Sequence, residues 1–103
     1  MKKYGFYGKF KSQKGKRDEL ISILLQASKL VSTAKGCHQY IIYRDIKNED
    51  NVFVSEIWDT KEDHDNSLKI EGCAELISKA MPLIDGKPEG TSLEVAGGKG
   101  IDL

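Results

Sequence analysis

Two different spacings of hydrophobic residues alternate along this chain. Over residues 4–11, positions rich in aromatic residues alternate with positions rich in glycine and lysine, and a period of two predicts a first strand. From Arg17 onward, apolar residues recur three or four positions apart, which predicts a long amphipathic helix that stops at Gly36. The apolar residues of this helix are Leu20, Ile21, Ile23, Leu24, Ala27, Leu30, Val31 and Ala34.

A β-hairpin is predicted next. Residues 37–44 and 52–58 are rich in aromatic and β-branched residues, which favour strands. The polar segment 45–51 between them predicts the connecting loop.

Helical signals return directly after the hairpin. Thr60 is a good N-cap residue, and Asp63 stands where an acid can complete a capping box. A short helix that carries His64 and Leu68 is therefore predicted. After Gly72, a second short helix is predicted from Ala74, Leu76, Ile77, Ala80 and Met81, ended by Pro82.

The complete order predicts one α+β domain. A last strand over residues 91–96 completes the series β-α-β-β-α-β, the ferredoxin-like arrangement with an antiparallel sheet. The 103 residues contain no internal repeat or linker. We expect a single domain over residues 1–103, with a core from about residue 4 to residue 96 and a glycine-rich tail at 97–103.

Both faces of the predicted sheet are apolar. The helices of this fold cover one face only, so the other face would expose more apolar surface than a monomer usually does. A homodimer that packs sheet on sheet and a large ligand cleft both explain the pattern, and we expect a homodimer. In the strand over residues 52–58, we expect one face to carry Val52, Val54 and Trp58 and the other to carry Phe53 and Ile57. In the strand over residues 37–44, we expect one face to carry Cys37, Ile41 and Tyr43 and the other to carry Tyr40 and Ile42.

Composition narrows the classes of function. The 16 basic and 16 acidic residues balance, and no sustained basic stripe is present, which disfavours a nucleic-acid partner. No apolar run approaches the length of a membrane span, so we expect a cytoplasmic protein without a membrane partner. Cys37 and Cys73 share no metal-ligand spacing and the two histidines are far apart, so we expect no metal.

Trp58 and His64 stand on either side of the predicted strand-to-helix corner. Trp58 is either a core residue or a ligand contact at the end of the strand. His64 is either an exposed helical residue or a proton carrier, since imidazole titrates near physiological pH. Glu56 lies on the same strand face as Trp58, where an acid is either paired, for example with Arg44, or functional.

The chain resembles the antibiotic biosynthesis monooxygenase domain of the dimeric α/β-barrel superfamily, from about residue 4 to residue 95. The segments that carry the resemblance are GKF at 8–10, GKRDEL at 15–20, GCHQY at 36–40 and, above all, EIWDTKEDH at 56–64. The last segment is similar to the family signature E-x-W-x-s-x-E-x-H. The PLI segment at 82–84 and the glycine-rich end are similar to a subgroup described as monooxygenases or quinol monooxygenases.

The resemblance implies a ferredoxin-like protomer that dimerises through its sheet, with a pocket between sheet and helices. Characterised members oxidise aromatic phenols or quinols with O2 and without metal, flavin or other cofactor. By position, Trp58 would line the pocket and His64 would be its polar residue. Phe6, Ser55 and Leu68 would contribute further lining.

Two departures from the family pattern restrict the substrate. Val54 stands where polyketide-oxidising members carry an asparagine that donates a hydrogen bond. Haem-degrading relatives place their histidine further from the tryptophan and use an asparagine in the first strand, and residues 4–10 contain none. Haem degradation is therefore disfavoured.

The leading interpretation is a cofactor-independent monooxygenase acting on a phenolic or quinol-like aromatic small molecule. In it, His64 is the catalytic residue, as a general base or through a hydrogen bond, and Trp58, Phe6, Ser55 and Leu68 bind the substrate. One alternative is a non-catalytic dimeric binder of an aromatic metabolite. Another is an isomerase or lyase that uses His64 without oxygen.

Overall fold

The computed structural model describes residues 2–101. Its four strands form one antiparallel sheet in the order β2-β3-β1-β4, and the predicted α+β, ferredoxin-like fold is confirmed. The elements in chain order are β1 (Tyr4–Lys11), α1 (Arg17–Val31), β2 (Cys37–Arg44), β3 (Asn51–Trp58), α2 (Lys61–Ser67), α3 (Cys73–Ala80), a 3-10 turn (Met81–Leu83) and β4 (Glu89–Glu94).

Some element ends differ from the prediction. The first helix ends at Val31 rather than near Ala34, because the chain turns tightly there. The Ala34 N–H donates to the Val31 carbonyl at 3.0 Å. The last strand begins at Glu89, because its register on β1 extends to Lys9. Within residues 2–101, no helix is both long enough and apolar enough to cross a membrane.

The register divides the sheet into two faces. The helix-side face lies under the helices, and the outer face points away from them. The helix-side residues of β1 and β3 pair as Tyr4 with Trp58, Phe6 with Glu56, Gly8 with Val54 and Phe10 with Val52. The outer face carries Gly5, Tyr7, Lys9, Gln39, Ile41, Tyr43, Phe53, Ser55, Ile57 and Leu93.

One face assignment from the sequence is wrong. Cys37 was expected on the face of Ile41 and Tyr43, but it pairs with Trp58 and packs with the helix-side residues. The cause is a register shift between Cys37 and Gln39. An extra residue in one strand reverses the alternation on either side of it.

Two apolar clusters lie between the sheet and the helices. The larger joins α1 to the sheet through fully buried Leu20 and Val52. The smaller surrounds Trp58, which is 0% exposed, with Val31 and Cys73. The cavity described below is lined by residues of both clusters.

The start of α2 follows its sequence signal. Thr60 has extended backbone, and its hydroxyl accepts the Asp63 N–H at 3.0 Å. The Asp63 carboxyl packs instead against Gly36, whose φ of 81° and missing Cβ leave room for it. This cap fixes where α2 begins, and therefore where His64 stands.

Replacing Thr60 with Ala should lower the free energy of unfolding by about 1 kcal/mol, because the Asp63 N–H loses its acceptor. Chemical denaturation measures the change. Thr60→Ser keeps the hydroxyl and is the matched control. A Ser variant as unstable as the Ala variant would contradict the capping role.

Candidate active site

A cavity of about 330 Å3 lies between the helix-side face and the helices. Most of its wall is aliphatic or aromatic, and His64, Glu56 and Ser67 are among its few polar side chains. A small, mostly apolar cavity with a few polar groups is typical of small-molecule sites. The apolar lining includes Ile23, Leu24, Ala27, Leu76, Ile77 and Ile84.

His64 forms the polar part of the wall. Its side chain is only 12% exposed, and its ring stacks on Phe6 with centroids 5.0 Å apart. Nδ1 lies 2.9 Å from Asp65 Oδ1. Because a carboxylate can only accept, Nδ1 carries the hydrogen of the neutral ring and Nε2 keeps a free lone pair.

Glu56 faces Nε2 of this histidine. The Glu56 carboxyl is 8% exposed, and its Oε1 lies 3.7 Å from His64 Nε2, beyond hydrogen-bond length. The same oxygen accepts the Trp58 indole N–H at 3.0 Å. Burial raises the pKa of Glu56, while the Trp58 hydrogen bond and the neighbouring His64 oppose the rise.

Trp58 supports the site from behind. It is fully buried in the smaller core cluster, with its ring edge toward His64 at a centroid distance of 6.0 Å. Residues nearer the cavity form the wall at this point. Its indole N–H bonds to Glu56 and its ring edge faces His64, and Trp58 is not among the residues that line the cavity.

The structure brings three of the predicted site residues to the cavity wall and leaves Trp58 and Ser55 outside its lining. Phe6, His64 and Leu68 all line the cavity. Ser55 lies on the outer face, where its hydroxyl is 2.8 Å from the Tyr43 hydroxyl. Because strand residues alternate between faces, a residue between Val54 and Glu56 cannot face the cavity.

Burial raises the pKa values of three other ionisable groups near the site. The Tyr40 ring also lines the cavity, and burial, followed by the charge of Glu56, raises the pKa of its hydroxyl. The Cys37 and Cys73 thiols also have raised pKa values, caused chiefly by burial. Raised values keep both thiols and the phenol protonated at neutral pH, which makes them poor bases there.

The second histidine is not part of the site. His38 is 38% exposed and lies 2.6 Å from Asp59 through Nε2 and Oδ1. Within the described residues, no group of three or more His, Cys, Asp or Glu side chains is arranged to hold a metal ion. The polar chemistry of the cavity therefore centres on His64 and Glu56.

Sequence reasoning missed two features. It considered Arg44 as the partner of Glu56, whereas Glu56 bonds to Trp58, two residues along the same strand. Their spacing already placed both on one face, so this pairing could have been inferred. The lining from α1 and α3 was not assigned, because a helical apolar stripe gives no sign of whether it faces packed core or cavity.

Comparison with known proteins shows a match in sequence and in structure to one family. The family model for antibiotic biosynthesis monooxygenases matches residues 4–78. A Chloroflexus aurantiacus structure assigned to the same family is 34% identical, with a TM-score of 0.86, over 97% of this chain and 99% of that one. No curated protein matches the chain in sequence.

More distant structures share the fold. A variant of SnoaB, a cofactor-independent oxygenase from Streptomyces nogalater, has a TM-score of 0.82 at 12% identity and covers 96% of this chain and 98% of its own. A conserved protein from Methanosarcina mazei has a TM-score of 0.83 at 16% identity and covers 90% of this chain and 92% of its own.

Replacing Glu56 with Gln should change how stability depends on pH. The native Glu56 pKa is raised above its ordinary 4.5, so between the two values the native state binds more protons than the unfolded state. Wild-type stability therefore falls as pH rises through that interval. The free energy of unfolding of Glu56→Gln minus that of wild type should therefore increase with pH, as measured by urea denaturation.

Glu75→Gln removes one carboxyl that is 71% exposed and controls for the loss of charge. A difference between Glu56→Gln and wild type that stays constant or shrinks as pH rises would contradict the burial effect.

Proposed function

Because the chain belongs to the antibiotic biosynthesis monooxygenase family and encloses an apolar cavity, we propose that it is a cofactor-independent monooxygenase of a phenolic or quinol-like aromatic molecule. The observation that carries the proposal is the position of His64. Its ring is nearly buried, lines the apolar cavity and has Glu56 beside its Nε2.

The first step would be removal of a proton from the substrate hydroxyl. His64 Nε2 is the acceptor, since Asp65 holds the hydrogen on Nδ1. The imidazolium that forms lies between two carboxyls, Asp65 at 2.9 Å and Glu56 at 3.7 Å. A carboxylate near a developing positive charge lowers its free energy, and more strongly where water is excluded.

The second step would be transfer of electrons from the aromatic anion to O2. Apolar walls deprive the phenolate of hydration, which makes it a better electron donor. A quinol that gains one oxygen atom becomes a hydroxyquinone, and the other oxygen atom leaves as water. The substrate supplies all the electrons, so the reaction balances without a further reductant.

The scaffold supports this reaction type. SnoaB shares the fold and is a cofactor-independent oxygenase. We extend the reaction type, and not its substrate, to this chain.

Replacing His64 with Ala should lower oxygen uptake with a quinol by about tenfold or more, the usual size of an acid or base contribution. The matched control is His38→Ala, because His38 pairs with Asp59 away from the cavity. An oxygen electrode measures both variants.

Three outcomes of this experiment have distinct meanings. Unchanged uptake in His64→Ala removes His64 from the mechanism. Equal losses in both histidine variants indicate a general effect on folding. Tight binding of a quinol by wild type with no oxygen consumed would favour the non-catalytic binder over the monooxygenase.

We also propose that two copies pair through the outer face. Several large apolar side chains on this face are exposed by more than two fifths, among them Tyr7, Ile41, Tyr43 and Leu93. Tyr7 also stacks on Phe53 at 5.7 Å, which extends the apolar surface across β1 and β3. The same face on a second copy offers apolar surface of matching kind, as a two-fold dimer requires.

Light scattering at micromolar concentration should give the mass of a dimer, and Ile41→Lys should shift it toward the monomer, because a charge would be buried in the interface. Leu25→Lys is the matched control, since Leu25 is 55% exposed on α1. A monomeric wild type would overturn the proposal, as would equal dissociation in both variants.

A further inference from the structure

Two glycines pair directly across β1 and β4 on the helix-side face. Gly8 and Gly90 are Cα partners in the register. Among the residues described, the glycines with positive φ do not include either of them. Their backbone conformation is open to any residue, so the absence of side chains here has another cause.

The Phe6 ring occupies the space over Gly90. A Cβ at residue 90 would lie 2.5 Å from Phe6 Cζ and 3.1 Å from Cε1. Carbon atoms pack best at about 3.5–4.0 Å, so the ring can hold this position only over bare backbone. A Cβ at Gly8 would meet Phe6 Cε2 at an ordinary 3.4 Å.

The same ring forms part of the cavity wall. Phe6 lines the cavity and stacks on His64 at 5.0 Å with an interplanar angle of 30°. A methyl group at residue 90 would lift the ring off the sheet, in the direction of the cavity and His64. The atom displaced is the far end of a side chain rather than backbone, so the chain can adjust and fold.

We propose that Gly90 determines the size of ligand that the cavity accepts, and that it does so by seating Phe6 against the sheet. The inference rests on the proposed function for one point only, that the ligand is an aromatic hydroxyl compound. Gly90 itself need not touch the ligand.

Ligand size is the property to test. A cavity of about 150 Å3 holds one benzene ring, and this cavity measures about 330 Å3. Two fused rings should therefore fill it, whereas a single ring should leave part of it empty. A wall moved inward by Phe6 should exclude the larger compound before the smaller.

The experiment is titration of wild type and Gly90→Ala with 2-naphthol and with phenol under argon. Trp58 is the only tryptophan, so the NMR shift of its indole N–H reports occupancy of the adjacent cavity. Gly90→Ala should lower the affinity for 2-naphthol by about tenfold or more, the usual scale of overpacking. Its affinity for phenol should change by less than about twofold.

Gly8→Ala is the matched control, because its methyl meets Phe6 at an ordinary distance. It should change both affinities by less than about twofold. If Gly8→Ala loses as much affinity for 2-naphthol as Gly90→Ala does, the proposal is overturned. It is also overturned if Gly90→Ala loses equal affinity for 2-naphthol and for phenol.

A second comparison works even if Gly90→Ala does not fold. Phe6→Leu removes the ring, so adding Gly90→Ala to it should leave the affinity for 2-naphthol within about twofold. A further large loss would show that Gly90 acts without Phe6 and would overturn the proposal. If wild type binds neither compound, the proposed aromatic ligand fails as well; if it binds both without discrimination by Gly90→Ala, this inference alone fails.

Discussion

The hydrogen bond from the Trp58 indole to the Glu56 carboxyl is the interaction on which the site depends. Both groups are buried, and an unpaired polar group in their place would cost about 1–3 kcal/mol. Paired with each other, they allow a carboxyl to lie in an apolar wall 3.7 Å from His64 Nε2. The pairing is local, since residues 56 and 58 share one face of β3.

A cavity lowers the stability of a folded domain, because protein interiors are otherwise close-packed. Phe6 and His64 are two of the aromatic rings that border this space. Phe6 rests over Gly90, and His64 is held by Asp65 while it stacks on Phe6. Each of these two rings therefore has a position in the cavity wall that its neighbours define.

Local features of the fold were predictable, and features that depend on distant contacts were less so. The β2 bounds and the Thr60 cap follow from neighbouring residues, and they agree with the structure. The bulge after Cys37 reversed one face assignment. Ser55 lies on the outer face, and the alternation of residues along β3 already placed it opposite Glu56 in the sequence.

By itself, the sequence determined the order of elements, the family, the apolar character of both sheet faces and the pairing of Trp58 with His64 around one corner. The elements, the faces and the corner depend on periodicity and caps, which act over a few residues, whereas the family rests on the segments that resemble its signature. Only the tertiary structure decided that Trp58 lies behind the wall, that Glu56 faces His64, and that Phe6 rests over Gly90. Those relations depend on how different elements pack against one another, and packing in three dimensions sets their distances.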